Sequence, residues 1–397
     1  MRNALHDFQM AVMADPGLQR HLGTCDRPDV FAARARAAAD HLGLHLERDG
    51  LVPPARAAPI AQSAAWPPLA WLPVRILDTD DGPLVDWAYF GDDPLQDSFF
   101  DDAVRRALTR PFNRVFRHVT TLDAFIDNAP SDGAAPVRGL VYHMSRCGST
   151  LVAQMLGALP ATVSLSEPGP LDAALRLAMC RADFAGERGG ALLRAMVAAL
   201  GRARNGERQC FIKLDSWHIL AFPLIHAALP HVPWVYLFRE PVEVLVSQMR
   251  MRGYQTVPAL VPSGLYDIGD DQPGPEELCA RILANHHSAA LRALAAPHGL
   301  AIDYASLPGA LIAAIAPHFD MSLGSADRAA LGLASRGDAK APLDVFVPDH
   351  IRKREEASPA VRDAARRNLQ ALHAELAVAA GRVGKGACTA MSSTSAV

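Results

Sequence analysis

From residue 137 onward, short apolar runs alternate with longer stretches whose apolar residues recur at helical spacing. The runs predict strands at 138–143, 162–165, 209–213, 233–238 and 299–303. Helices are predicted at 149–158, 170–183, 189–203, 219–229, 241–252, 275–296 and 359–379. Strands that are apolar throughout, separated by helices, predict a parallel sheet covered on both faces. Before residue 137 the pattern differs. Residues 4 to 46 carry helical periodicity, with Asp15-Pro16 marking a new helix start. "VRILDTDDGPLVDWAYF" predicts two strands around an Asp-Asp-Gly turn, and "DSFFDDAVRRAL" a helix with an apolar stripe.

These patterns divide the chain into a helical region at 1–52, a Pro/Ala-rich linker at 53–68, an α+β lead-in at 69–136 packed on the core, a main α/β domain at 137–380 and a disordered tail at 381–397. Asp80, Asp81, Asp92 and Asp93 stand beside glycines and read as turn formers rather than metal ligands. The long aperiodic stretch 253–274 reads as a lid or binding segment. His286 and His287 are adjacent on a helix and diverge by about 100°, which argues against a metal pair.

The helical segments "LHDFQMAVMADPGLQRHL" and "FAARARAAADHLGLHL" resemble the leader-peptide domain first described in nitrogen-fixation gene clusters, through a shared Phe, Asp-Pro, Leu and late Ala/Gly pattern. The other reading is an ordinary helical hairpin.

Of the 397 residues, 50% are hydrophobic and 20% charged, enough for a large core; the formal net charge is −3. No global charge draws the chain to nucleic acid or an anionic membrane, so any anion site must be built locally. The six cysteines (Cys25, Cys147, Cys180, Cys210, Cys279, Cys388) show no CxxC spacing. They fit a reducing, cytoplasmic setting better than a zinc site or disulfide framework. The N-terminus lacks the apolar core of a signal peptide, and prolines 223, 230 and 233 break the one long uncharged run, so no membrane span is expected.

One turn carries chemistry. In "LVYHMSRCGSTLV" a strand runs through Ser145-Arg146-Cys147-Gly148-Ser149-Thr150 into a helix, which aims backbone N–H groups and a helix N-terminus at one spot. Gly148 permits close approach, Ser149 and Thr150 offer hydroxyls, and Arg146 can contact a phosphate at two points. The lysine that an ATP-binding loop carries after its second glycine is absent. A second stretch, "WVYLFREPVEVLVSQ", places Arg239 at a strand end, with Ser247 nearly two turns along the helix that Pro241 begins.

Together, "SRCGSTLV" and "FREPVEVLVS" resemble the two donor-binding motifs of the sulfotransferase superfamily, over roughly residues 137 to 380. The resemblance implies a P-loop-NTPase-like α/β sheet flanked by helices, preceded by the small helical domain and the α+β lead-in. It implies 3′-phosphoadenosine-5′-phosphosulfate as co-substrate and no metal. Carried over, Arg146, Cys147, Gly148, Ser149 and Thr150 hold the 5′-phosphosulfate, while Arg239 and Ser247 hold the 3′-phosphate. Arg146 places the chain with the branches whose loop reads R-S-G-[ST]-T. Cys147 replaces their serine, so its backbone N–H is expected to matter more than its thiol.

Sulfuryl transfer needs a base on the acceptor hydroxyl and a cation on the leaving oxygen. Glu167 ends the next predicted strand, where the Arg-loop branches often carry a catalytic glutamate. Lys213 matches the family's cation, and Asp215 or His218 competes with Glu167 as base; His218 also reads as an ordinary helix-start residue. Arg352, Lys353 and Arg354 resemble the late basic segment that closes over the 3′-phosphate, and a solvated charge run accounts for them as well. The acceptor that the resemblance implies is a hydroxyl on a small molecule, carbohydrate or peptide; the oligomeric state is not legible. The alternatives are an ATP-dependent P-loop kinase, for which an acid at a strand end such as Asp215 would hold magnesium, and an inactive peptide-binding module.

Overall fold

The computed structural model describes residues 4–46, 51–52, 56, 61–62, 64–257, 260–262, 264–269, 271–337 and 349–391, with 61–62 and 382–391 as backbone alone. It divides into two compact units, one built from residues 1–136 and 167–208, the other from 137–166 and 209–397.

The first unit opens with helices Ala4–Ala14, Pro16–Gly23 and Pro28–His41. Asp15 starts the second as expected: its carboxylate accepts the N–H groups of Gly17 at 2.7 Å and Leu18 at 3.2 Å, and Pro16 fills the first helical position. Phe8 and Phe31 set the helices against Phe116, with ring centroids 6.1 and 6.4 Å away. The hairpin forms around Gly82 at φ 106°, a conformation that suits glycine. Its strands, Trp71–Leu77 (here β2) and Leu84–Tyr89 (β3), are followed by His118–Thr121 (β4); with the two-residue β1 at Ala61–Gln62 they make a sheet of order β1-β4-β3-β2.

The expected linker has a fixed point. Arg56 donates to the fully buried Asp86 at 2.8 Å, to Asn113 O at 3.0 Å and to Trp87 O at 2.8 Å, beside Arg75 and Arg117 on the same carboxylate. Residues 53–55, 57–60 and 63 of that stretch lie outside the described residues.

The second unit is the predicted parallel sheet. Its strands are Val137–His143 (β5), Thr162–Ser166 (β6), Gln209–Lys213 (β7), Trp234–Phe238 (β8) and Gly299–Asp303 (β9), in the order β6-β7-β5-β8-β9. All neighbours pair in parallel. Every residue of β8 is buried, as a strand covered on both faces requires. The order places β5 at the centre: from it the chain goes to the edge at β6, returns to β7 beside β5, then crosses to β8 on the other side and moves outward to β9. The reversal lies between β5 and β8, where open α/β sheets leave a crevice beyond the strands' carboxyl ends.

Several helices depart from the periodicity, among them Ser325–Ala334, which no predicted element covers. The one expected at 219–229 starts as a 3-10 turn at Ser216–Ala221 before becoming Phe222–Ala228, because Asp215 closes a tight cap on the turn. The one expected at 359–379 breaks at Leu369 into Pro359–Asn368 and Gln370–Met391, so helical backbone runs on from residue 381 to 391, where a disordered tail was expected. Residues 392–397 lie outside the described residues. The short helix His350–Glu356 falls where only a charge run was legible. Among the described residues, no helix is long and apolar enough to cross a membrane.

Candidate functional site

The loop after β5 is strained. Ser145 and Arg146 have φ of 77° and 54°, and Gly148 stands at 82°. Left-handed geometry is unusual for two consecutive residues with side chains and costs on the order of 1 kcal/mol or more each, so surrounding bonds must hold it. They are present. Ser145 N–H donates to His143 Nδ1 at 3.0 Å, which leaves His143 Nε2 to donate to Leu214 O at 2.9 Å. Gln248, fully buried, donates to Ser145 Oγ at 3.1 Å and accepts Gly253 N–H at 2.8 Å. Successive N–H groups bent in this way form a concave nest that suits an anion.

Gly148 caps the helix Ser149–Gly157, and a Cβ there would lie 2.8 Å from the Tyr304 ring and 3.1 Å from Leu307. Glycine is required twice at this position, for its φ and for space. Ser149 and Thr150 are buried in the first helical turn. Cys147 points the other way. Its thiol is fully buried, donates to Leu237 O at 3.2 Å and is pushed up to about 12 by burial. Arg146 donates from Nη2 to Met251 O at 2.7 Å, at the carboxyl end of the helix Pro241–Arg250, where the helix dipole favours a cation.

Lys213 and Arg239 stand at the carboxyl ends of the two strands beside β5. Lys213 is the last residue of β7, paired in register with Val141 of β5 and Ser166 of β6. Its side chain is buried and donates to Ser166 Oγ at 3.3 Å. Arg239 follows β8 and ties back to the loop, its N–H donating to Met144 Sδ at 3.2 Å. Its guanidinium carbon lies 4.1 Å from the centroid of Tyr304, a cation–π contact. Nε donates to Glu243 at 2.7 Å, and Nη2 to Asp349 at 3.1 Å. Burial opposes the charge of Arg239, but its bonds to the two carboxylates prevail and hold its pKa above the ordinary arginine value.

The helix Pro241–Arg250 places Ser247 two turns beyond Arg239 on the same side as Glu243, by i+4 spacing. From the late basic segment, Lys353 is buried and pairs with Asp349 at 2.9 Å, and Arg354 donates to Glu243 at 2.9 Å. Arg352 does not join them: it is exposed and stands 3.8 Å from Glu356. The basic run thus splits, with Lys353 and Arg354 entering the network of Arg239.

His218 is fully buried and its Nδ1 accepts Asp215 N–H at 3.3 Å, while Nε2 lies 3.7 Å from the Asp215 carboxylate. The pair forms the cap of the 3-10 turn, the structural role that its position also suggested. Glu167 belongs to the first unit. It is half-buried, has φ 50°, and its charge helps raise the Asp101 carboxyl, behind the larger effect of Asp101's own burial. His286 and His287 are buried with separate partners, Tyr266 OH at 3.4 Å from His286 Nε2 and Tyr236 OH at 2.9 Å from His287 Nδ1.

Sequence reasoning missed His143, Gln248, Tyr304 and Asp349. The one signal available was a polar residue at the end of an apolar strand, which applied to His143.

No protein-family model matches the chain, and no curated protein matches it in sequence. Among solved structures, it is similar to the sulfotransferase domain of the Synechococcus PCC 7002 olefin synthase, with 18% identity over 63% of this chain and 96% of that one, at a TM-score of 0.36. The sulfotransferase domain from the curacin biosynthetic pathway gives 15% identity over 58% and 97%, TM-score 0.36. Sulfotransferase STF1 from Mycobacterium tuberculosis H37Rv gives 15% over 53% and 73%, TM-score 0.33. At these levels, function has to be argued from the residues of this chain.

Proposed function

We propose that this protein is a sulfotransferase that moves a sulfuryl group from 3′-phosphoadenosine-5′-phosphosulfate to an acceptor hydroxyl. The observation that carries the reading is that two groupings suited to an anion stand at the carboxyl edge of one sheet. One is the strained nest at Ser145–Gly148; the other is Arg239 with Lys353, and Tyr304 touches both. A ligand with phosphate groups at two separate ends fits two such stations.

In this reading the N–H groups of residues 146 to 150 and the Arg146 guanidinium hold the 5′ phosphate, and Arg239, Ser247 and Lys353 hold the 3′ phosphate. The bound donor supplies an activated sulfur–oxygen bond. Lys213, fixed by Ser166, neutralises the charge that develops on the phosphate oxygen as that bond breaks. Glu167, which follows Ser166 directly in the chain, takes the proton of the acceptor hydroxyl as its oxygen bonds to sulfur. His218 has its Nδ1 engaged in the turn, which favours Glu167 over it. The N-terminal helices' resemblance to leader-peptide domains favours a peptidic or natural-product acceptor.

The test is incubation with the donor and a panel of hydroxyl acceptors while the release of adenosine 3′,5′-bisphosphate is followed. Acceptor-dependent release supports the reading. Magnesium-dependent ATP turnover with no such release would replace it with a kinase.

A further inference from the structure

Arg239 carries two carboxylates, and the two differ in how they are held. Glu243 lies one turn along the same helix, is 4% exposed at its side chain and is also held by Arg354. It belongs to the framework. Asp349 arrives from a segment 110 residues away in sequence, immediately before the helix His350–Glu356, and its side chain is 25% exposed. One of its oxygens accepts Arg239 Nη2 at 3.1 Å; the other accepts Lys353 Nζ at 2.9 Å. A single carboxylate thus spans two buried cations with two oxygens, as two oxygens of a phosphate group would.

We propose that Asp349 is a built-in competitor for a phosphate group at Arg239 and Lys353: its carboxylate occupies both cations and must leave them before the phosphate can bind. The inference rests on the reading of these two cations as the donor's 3′-phosphate station. Arg239, Lys353 and Arg354 contribute three positive charges against two from Glu243 and Asp349, so the group is net positive by one and gains a further positive charge when Asp349 departs. A phosphate dianion can replace a carboxylate there because it brings more charge and more acceptor oxygens. The exchange has a consequence for affinity. A ligand that binds only the fraction of molecules with Asp349 displaced binds more weakly by that fraction. The same carboxylate can return to the cations as the bisphosphate product leaves, which assists a step that limits many enzymes.

The test is titration calorimetry on the full chain, comparing wild type with Asp349→Asn and Asp349→Ala. The two ligands are adenosine 3′,5′-bisphosphate and adenosine 5′-phosphate, which lacks the competed group. Both variants are expected to bind the bisphosphate about tenfold more tightly, equivalent to about 1.4 kcal/mol, with affinity for adenosine 5′-phosphate unchanged. If wild type binds the bisphosphate and neither variant binds it more tightly, Asp349 organises the cations instead, and this inference fails while the donor-site reading stands. Equal tightening for both ligands would also overturn it, as a general change in the site. Absence of bisphosphate binding by all three proteins would overturn both readings.

Discussion

The guanidinium carbon of Arg239 lies 4.1 Å from the centre of the Tyr304 ring, and the edge of that ring stands 2.8 Å from where a Cβ on Gly148 would be. One aromatic side chain therefore touches both Arg239 and the loop at Gly148, the two proposed anion stations. Replacing Tyr304 with Ala removes the cation–π contact and the packing against the loop. Bisphosphate affinity should fall by about 1–2 kcal/mol, within the range of a partly desolvated cation–π pair. Tyr304→Phe keeps the ring and should retain most of that affinity, which calorimetry on the two variants would show.

Gly148→Ala meets both a φ of 82° and the Tyr304 ring. A loss of stability of about 1–3 kcal/mol is expected from the backbone alone, and the displaced ring should abolish bisphosphate binding. Thermal melting and titration on one sample would check both. A variant that melts and binds like wild type would show that the loop does not need its observed shape.

Glu167→Gln keeps the shape of the proposed base and removes its charge. Donor affinity should persist while turnover falls by a factor of about 10² or more, the usual contribution of general base catalysis. Full activity in this variant would move the base to Asp215 or His218. Lys213→Met should likewise spare acceptor affinity and depress turnover.

His286 and His287 are each lowered to about 3, first by burial; His143 adds to the effect at His286, and His373 and His286 at His287. The unfolded chain, with histidines near 6.5, binds protons that the folded protein refuses. Stability from these groups is therefore present above about pH 6.5 and is lost progressively as pH falls toward 3. The melting temperature should drop across that window in wild type. The drop should be shallower in the double variant His286→Gln, His287→Gln, and an identical pH slope would remove these histidines from the account.

The strands of the second unit were legible because a strand buried on both faces must be apolar throughout, as in Trp234–Phe238. Arg239 and Lys213 were legible for a related reason: a charge directly after such a run marks the sheet's carboxyl edge. The parts that hold the site in shape were not. Gln248 reaches Ser145 across 103 residues of sequence, and Asp349 reaches Arg239 across 110. No local period encodes either contact. The split in Arg352-Lys353-Arg354 was hidden for another reason, since all three read as one charge run until a helix turned Lys353 inward and left Arg352 in solvent.

The central claim is that the loop after β5 and Arg239 together hold one doubly phosphorylated nucleotide. Calorimetry with adenosine 3′,5′-bisphosphate on wild type, Arg146→Ala and Arg239→Ala tests it most directly. Wild type should bind at a single site, and each variant should lose about 1.5–3 kcal/mol, the range for a hydrogen bond to a charged group. No binding by wild type, or binding that both substitutions leave intact, would contradict it.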